Sequence, residues 1–342
     1  MTGKRYVSST DVARLAGVSQ SAVSRTYTEG ASVSPTTREK VLAAARALGY
    51  RPNFLPQALM SSRSHLVAVA VGGITNPFYA SVLEQFATAL QEAGQQVVLI
   101  QIDNDYALDA VLDRIAGYRV DALVSSLAVL STETAHALSD LRIPVVCFNG
   151  RIRAAWVSCV SMDNLQAGAM AADHLREAGG RRFAFLGGPP DSPASQDRQA
   201  GFEHQLQRLR LPKPLVLPGD FSYEAGHAAA TRLVAADPRP DAVACVNDLS
   251  ALGLLDGLRR AGLRSPDDVR LLGYDNIGIA AWSAYELTSF DQNVPEMIRR
   301  TLRLILDDNA ADEARQGVLQ TVPARLVIRC TTGRAGAPCL GI

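Results

Sequence analysis

The chain has 342 residues, of which 47% are hydrophobic and 6% aromatic, and its 34 basic residues balance its 34 acidic ones; this length and composition are typical of an α/β protein with two or three domains. No apolar run approaches the ~20 residues of a membrane helix and no signal segment begins the chain, so we expect a cytoplasmic protein without a membrane partner. The five cysteines are scattered and the five histidines lack zinc spacing, so the sequence predicts no metal and no cofactor.

The neutral total conceals an uneven distribution of charge. Residues 1–63 contain nine basic and three acidic residues, a net charge of +6. Residues 64–342 contain 25 basic and 31 acidic residues, a net charge of −6. A basic segment attracts the phosphates of DNA, so we expect the N-terminal segment to bind DNA.

The N-terminal segment has the pattern of a helix-turn-helix. Val12, Ala13 and Ala16 share one face of a short helix, and Gly17 allows the turn that follows. Ser19 is placed to cap a second helix, whose outward positions fit a recognition helix in the major groove of DNA. The predicted DNA-contacting residues of this helix are Ser19, Gln20, Ser21, Ser24 and Arg25.

A third helix is predicted to complete this head. Ser34 can cap it, Pro35 suits its first turn and Gly49 can end it. Its predicted buried stripe consists of Val41, Leu42, Ala45 and Leu48. The segment that follows, residues 53–64, has more apolar side chains than an ordinary linker needs. It is either a short helix capped by Asn53 or a tether whose apolar side chains pack on the body.

Residues 11–25, the stretch 50–53 and Leu59 together resemble the DNA-binding head and hinge of the lactose-repressor family. The resemblance implies a homodimer that binds near-palindromic operator DNA, with paired hinge helices in the minor groove. By motif position Asn53 and Leu59 would contact DNA, and Leu59 would wedge between the central base pairs. Pro56 departs from the common family pattern, but its missing amide is harmless in the first turn of such a helix.

Residues 65–330 alternate short apolar runs with helical stretches, which is typical of parallel sheets covered by helices. The first predicted strands are 66–71, 97–102, 122–124 and 144–148. A second array has strands at 183–186, 215–217, 242–246 and 269–273, with helices near 196–210, 222–236 and 249–261. The simplest architecture is two doubly wound lobes that face each other across a cleft.

The resemblance covers this region too and implies a periplasmic-binding-protein-like core. In such a core the chain crosses between the lobes three times, here near residues 162, 291 and 323. The expected domains are therefore a helix-turn-helix head (1–52), a hinge (53–64) and a core for effector binding and dimerisation (65–342). Within the core, lobe one would take about 65–162 and 291–323, and lobe two about 163–290 and 324–342.

Ligands of open α/β sheets bind beyond the carboxyl ends of the strands. Amides, a carboxylate, an arginine and aromatic rings follow the predicted strands, and this set suits a small hydroxyl-rich ligand such as a sugar. The predicted effector-binding residues are Asn76, Phe78, Asn149, Arg198, Phe221, Asn247 and Asp275. Each of them taken alone also fits a turn or a helix cap.

The resemblance bears on several of these positions. Arg198 matches the effector-binding arginine of the family and Asp275 matches its carboxylate partner. Phe221 and Asn247 also fall on effector positions. Asn149 stands where relatives often carry an acidic residue, so its role and the class of ligand stay open.

Four other polar residues follow predicted strands or precede helices. We interpret Asp163 and Asp248 as helix caps. The roles of Asp103 and Ser125 stay open.

Three functions are compatible with such a fold: a transcription regulator with a sensing cleft, a transport-type solute-binding protein and an α/β enzyme. The basic head and the missing secretion signal oppose the second, and the absence of a Gly-rich phosphate loop and of a G-x-S-x-G elbow opposes the third. We expect a regulator and not an enzyme, a repressor by family habit, whose operator affinity responds to a sugar or sugar derivative. The alternative effector is a nucleobase or other metabolite that acts as a corepressor.

Overall fold

The computed structural model describes residues 7–28, 30–51, 63–102, 115, 117–125 and 132–333. The chain divides into two compact units, Met1–Ser64 and His65–Ile342. Each unit has a hydrophobic core of its own.

Three helices form the described part of the first unit: α1 (Ser9–Ala16), α2 (Gln20–Tyr27) and α3 (Pro35–Leu48). Gly17 ends α1 with φ at 66°, the left-handed conformation that favours glycine. The Oγ atoms of Ser19 and Ser34 accept hydrogen bonds from backbone amides at the starts of α2 and α3. The predicted caps and the predicted helix-turn-helix are therefore confirmed.

The core of this unit is centred on Val12, Val23 and Val41, all fully buried. The predicted stripe of α3 is wrong at Leu42, which is 37% exposed, and Ala44 is buried in its place. A helix turns by about 100° per residue, so Leu42 points well away from its neighbour Val41. Positions three and four residues beyond Val41 return to the buried face.

The second unit contains, in the described part of the chain, the following elements in order. The first are β1 (Leu66–Val71), α4 (Pro77–Glu92), β2 (Gln96–Gln101), β3 (Ala122–Ser125), α5 (Thr132–Ser139), β4 (Val145–Phe148) and β5 (Val157–Met162). Next come α6 (Asn164–Glu177), β6 (Phe183–Leu186), α7 (Pro193–Arg208), β7 (Leu215–Leu217), α8 (Tyr223–Ala235), β8 (Ala242–Cys245), α9 (Asp248–Arg260), β9 (Arg270–Tyr274) and β10 (Thr288–Asp291). The last are α10 (Val294–Leu306), α11 (Ala311–Gln316), β11 (Leu319–Val322) and β12 (Arg325–Val327).

Two six-stranded sheets give this unit its two lobes. In lobe one the strand order is β11-β5-β4-β3-β1-β2 and every pair is parallel. In lobe two the order is β12-β10-β9-β8-β6-β7, and only the β10–β12 pair is antiparallel. The expected pair of doubly wound lobes is confirmed.

Over the residues that the structure describes, the chain passes between the sheets three times: after β5, after β10 and between β11 and β12. Helix α10, which follows the second passage, packs against α4, β4 and β5 of lobe one. Both sheets are therefore completed by strands from the end of the described chain.

Helices α6 and α7 cover one face of the lobe-two sheet and touch each other through glycine. A Cβ at Gly201 would collide with the carbonyl of Leu165, and a Cβ at Gly168 would collide with the carbonyl of Arg198. The two backbones therefore approach as closely as only glycine allows. This contact fixes the position of α7, which carries Arg198.

Candidate functional site

A narrow cleft with a free volume of about 30 Å³ lies at the carboxyl ends of strands from both sheets. All seven predicted effector-binding residues line it: Asn76, Phe78, Asn149, Arg198, Phe221, Asn247 and Asp275. Four further residues that the sequence analysis did not single out also line it: Tyr79, Ser192, Ala194 and Gln292.

Arg198 is the buried cation of the cleft, with only 3% of its surface exposed. Its Nε donates to Asn164 Oδ1 at 2.8 Å, and its Nη1 donates to the carbonyl of Val246 at 2.6 Å. The guanidinium lies 4.6 Å from the ring centre of Tyr274, within cation–π range. Helix α7 begins at Pro193, three residues before the predicted start, so Arg198 lies in its second turn and does not open the helix.

Asp275 places a carboxyl group in the same cleft, directly after β9. Burial raises its pKa to about 6, and the Arg198 charge and a hydrogen bond from Gln292 oppose that rise. Its backbone φ is 115°, in the left-handed region that non-glycine residues rarely occupy. The strained backbone turns the carboxyl toward a cation and an amide donor, which suits binding of polar ligand groups.

Gln292 connects the two walls of the cleft. Its Nε2 donates to Asp275 Oδ1 at 2.6 Å, and its Oε1 accepts from Asn149 Nδ2 at 3.0 Å. Asn149 follows β4 of lobe one, whereas Asp275 follows β9 of lobe two. Asn149 Oδ1 is buried and has no hydrogen-bond partner among the described residues.

Two asparagines of the cleft also cap helices. Asn76 Oδ1 accepts from the amide of Phe78 at 3.0 Å, and Asn247 Oδ1 accepts from the amide of Ser250 at 3.0 Å. Asn247 Nδ2 donates to the carbonyl of Phe221 at 3.0 Å, which ties together two cleft residues. The capping role and a place in the cleft are therefore compatible for both asparagines.

Of the two aspartates predicted to cap helices, one is a cap and the other is not. Asp163 caps α6 through the amide of Gln166, as predicted. The prediction for Asp248 is wrong, because Asn247 caps α9 and Asp248 is fully buried. Its carboxyl accepts from Ser289 Oγ at 2.6 Å and from the amide of Ile277 at 2.9 Å. Burial and the charge of Asp275 raise its pKa well above the ordinary value.

Aromatic side chains supply the apolar part of the cleft. Phe78 and Tyr79 meet edge to face with ring centres 5.4 Å apart. Phe221 has φ at 71°, and its ring lies against Gly188, where a Cβ would stand 2.9 Å from the ring carbons. Burial and the charge of Asp275 raise the pKa of Tyr79 to about 12, so its hydroxyl stays protonated at neutral pH.

An ion pair joins the lobes beside the cleft. Arg151, in the segment after β4, donates from Nη1 to Asp197 Oδ1 at 2.8 Å and from Nη2 to Gln196 Oε1 at 3.0 Å. Asp197 and Gln196 belong to α7, directly before Arg198. Side-chain exposure of 50% for Arg151 marks this pair as a rim contact.

Sequence signals for the four additional residues are uneven. Ser192 precedes Pro193, a pairing typical of a helix start, and Tyr79 adjoins the predicted Phe78. Gln292 follows β10, whose Thr-Ser-Phe-Asp sequence does not read as an apolar strand. Ser125 ends β3 with a buried Oγ that has no partner among the described residues, and Asp103 lies outside them.

The predicted reading helix presents its polar residues to the surface. Ser19, Gln20, Ser21, Ser24 and Arg25 are all exposed. Arg25 Nε donates to the carbonyl of Ser21 at 3.3 Å, and Gln20 Nε2 donates to Ser9 Oγ at 3.0 Å. The predicted hinge contacts Asn53 and Leu59 lie outside the described residues.

The described part of the chain contains no group of three or more His, Cys, Asp and Glu side chains placed to hold a metal ion. It also contains no helix with the length and apolarity needed to cross a bilayer. Cys147, Cys159 and Cys245 are buried free thiols in strands β4, β5 and β8.

Two family models match the chain. The model of bacterial regulatory proteins of the lacI family matches residues 10–53. The model of a periplasmic binding protein-like domain matches residues 172–332. The first match covers the helix-turn-helix, and the second covers most of lobe two together with α10, α11 and β11 of lobe one.

Relatives match over nearly the whole chain. The HTH-type transcriptional regulator CelR of Thermobifida fusca is 33% identical over 327 residues, which are 93% of this chain and 94% of CelR. A solved complex of CelR with cellobiose matches with a TM-score of 0.71 and 32% identity, over 95% of this chain and 99% of that one. The lac repressor dimer bound to operator and the anti-inducer ONPF matches with a TM-score of 0.85 and 26% identity, over 96% and 100%.

These relatives are named as regulators and repressors, so the enzyme and transport hypotheses are set aside. A helix-turn-helix head ahead of a two-lobed core, with a 33% identical regulator matched almost end to end, shows that the chain is a DNA-binding transcriptional regulator of the LacI family.

Proposed function

We propose that this regulator is a repressor whose operator affinity is set by a small, hydroxyl-rich molecule, a sugar or sugar derivative, held in the cleft between the lobes. The observation that carries the proposal is the convergence of seven predicted effector residues on one cleft. The relative CelR, which has been solved with cellobiose, supports a sugar as the class of ligand.

The chemistry of the cleft fits a neutral polyol. Arg198 and Asp275 offer paired donors and acceptors to hydroxyl groups, and the amides of Asn76, Asn149 and Asn247 add further hydrogen-bonding groups. The rings of Phe78 and Phe221 can cover the apolar face of a sugar ring. A ligand with a large negative charge would meet one buried cation and the Asp275 carboxyl among these residues, so this set favours a neutral sugar or sugar derivative over a polyanion.

At the other end of the chain, the proposal assigns DNA reading to α2. Gln20 and Ser21 would set base preference, Ser19 and Ser24 would contact the backbone or base edges, and Arg25 would contact guanine with two hydrogen bonds. Asn53 and Leu59 would serve the hinge, with Leu59 as the wedge in the minor groove. A homodimer would place two heads on the two halves of a near-palindromic operator in the cytoplasm.

Effector binding and operator binding are thermodynamically linked if both depend on the separation of the lobes. An effector that binds one separation of the lobes more tightly than another shifts the protein toward that state. If the state favoured by the sugar holds the heads at the wrong spacing, operator affinity falls, and if it holds them at the right spacing, affinity rises. Both signs are compatible with this architecture, and an operator titration with and without the sugar distinguishes them.

The test is a thermal-shift screen of the full-length protein against neutral sugars including cellobiose, sugar acids, nucleosides and nucleobases. A sugar present at 100 times its Kd should stabilise the protein by about 2.7 kcal/mol. Arg198→Lys should abolish that shift, because a single lysine nitrogen cannot replace both the Asn164 and the Val246 hydrogen bonds.

The matched control is Arg176→Lys, on the last turn of α6. It should keep the full shift, because Arg176 does not line the cleft. A shift with nucleobases and with no sugar would replace the sugar by the corepressor alternative, and equal shifts in both variants would remove Arg198 from the site.

A further inference from the structure

Gln292 occupies the second crossing between the lobes, between the end of β10 and the start of α10. It is 2% exposed, and both ends of its amide are engaged. One end bonds Asp275 of lobe two and the other bonds Asn149 of lobe one. The three side chains therefore form a continuous hydrogen-bonded relay across the cleft.

The direction of this relay follows from the chemistry of its first member. At pH 7.5 the Asp275 carboxyl, with its pKa of about 6, is ionised and can only accept. Gln292 must then present its Nε2 to Asp275, which leaves its Oε1 facing Asn149. Asn149 must in turn present Nδ2 to that oxygen. The carboxylate thus fixes the orientation of both amides.

The last atom of the relay is Asn149 Oδ1. It is buried, and it is an acceptor without a partner among the described residues. Asn149 is 7% exposed and lines the cleft. A buried acceptor without a donor is unfavourable, and a donor group of a bound ligand would satisfy it.

We propose that Gln292 is a positioning residue that holds the amide of Asn149 with its oxygen toward the cleft, so that an effector must present a hydroxyl or N–H donor at that point. The inference rests on the proposed function, because it concerns the same cleft. It also gives a reason for an amide at position 149: a carboxylate there would place an acceptor against the Oε1 of Gln292.

The test is made without any sugar, on the full-length protein, as the melting temperature between pH 5 and pH 8. Asn149→Asp should lower it by about 3–6 °C at pH 7.5, because one buried hydrogen bond is lost and two acceptors face each other. The loss should shrink as the pH falls. The introduced carboxyl has a raised pKa in the folded state, and once protonated it can donate to Gln292.

The matched control is Asn76→Asp, an identical substitution in the same cleft. Asn76 Oδ1 already accepts from the amide of Phe78, and a carboxylate caps a helix start as well as an amide does. The melting temperature of this variant should stay within about 1 °C of the original at every pH. A second variant, Gln292→Glu, places a carboxyl against Asp275 and should show a loss that also shrinks at low pH.

An Asn149→Asp protein that melts normally at pH 7.5, or one with the same loss at every pH, overturns the proposal. If the Asn149→Asp protein does not fold, the Gln292→Glu protein provides the test. A fall in its melting temperature that is the same at every pH would then overturn the proposal. No sugar or DNA enters the measurement, so its failure leaves the proposed function standing. Conversely, a sugar screen without a hit leaves the relay standing.

Discussion

Asp275 sits beside a buried cation and still titrates close to neutrality. Its pKa is raised by burial to about 6, and the nearby Arg198 and Gln292 compensate only in part. The folded protein thus binds this proton more tightly than the unfolded chain, whose carboxyl titrates near 3.8. The contribution of this group to stability is present below about pH 4 and is lost as the pH rises through 6.

Replacing this carboxyl should therefore change the pH dependence of folding. In Asp275→Asn, the fall in the free energy of unfolding between pH 4.5 and pH 7 should be smaller than in the original protein, as measured by urea denaturation. The introduced amide oxygen can still accept from Gln292. Asp312→Asn, at a carboxyl whose side chain is 86% exposed, is the control and should follow the original curve. Identical slopes in all three proteins would contradict the assignment.

Individual cleft residues were predictable where the strands before them were predictable. Asn76, Asn149 and Asn247 follow buried apolar runs, so their place at the sheet edge follows from the strand ends. Gln292 was not predicted because β10, the strand before it, contains Thr and Ser. The burial of such residues depends on distant partners, such as Asp248 for Ser289. The sequence also does not tell which of two adjacent capping residues, Asn247 or Asp248, caps the helix and which is buried.

At the scale of elements, the α6–α7 pair depends on small residues at the contact. Gly201→Ala should be destabilising by about 1–3 kcal/mol, because the new Cβ meets the carbonyl of Leu165 and the helices must separate. It should also weaken sugar binding, since α7 carries Arg198. Urea denaturation and a sugar titration measure the two effects.

The control for this substitution is Gly278→Ala. A Cβ at Gly278 has nothing within 4 Å, and its backbone is outside the left-handed region. Its free energy of unfolding should not fall, and a loss equal to that of Gly201→Ala would show that the close helix contact is not the cause.

The strands that the sequence predicted are continuous apolar runs, whereas the strands that it missed are not. Apolar runs such as β1, β3 and β8 are buried on both faces, as parallel strands require. Strands β5, β10, β11 and β12 contain polar residues or lie at sheet edges. The amide of Thr288 bonds Thr331 Oγ1 from 43 positions away, and no local pattern reveals such a partner.

At the scale of the whole molecule, the two units carry opposite charge. The +6 head and the −6 remainder of the chain predict that salt acts mainly on the DNA contact. If a dimer neutralises six or more phosphates, operator affinity of the full-length protein should fall by about 10³ or more between 50 and 200 mM salt. A gel-shift or anisotropy titration on a duplex selected from random sequence measures this slope.

The same titration tests Arg25. Arg25→Ala should weaken the selected duplex by about 1–3 kcal/mol more than a random duplex and leave the salt slope unchanged, if the side chain reads a base. Equal weakening of both duplexes, with a slope reduced by about 1, would show a phosphate contact. Running the titration with the stabilising sugar shows whether the effector releases or promotes operator binding.

The order in which the chain builds its sheets has a consequence for synthesis on the ribosome. Only two residues separate β11, an edge strand of one lobe, from β12, an edge strand of the other, near the end of the described chain. A nascent chain therefore exposes the unfinished edges of both sheets until translation has passed residue 327, and unpaired edges are where growing chains aggregate. The helix-turn-helix is therefore translated first, whereas the two sheets of the second unit are completed only near the end of translation.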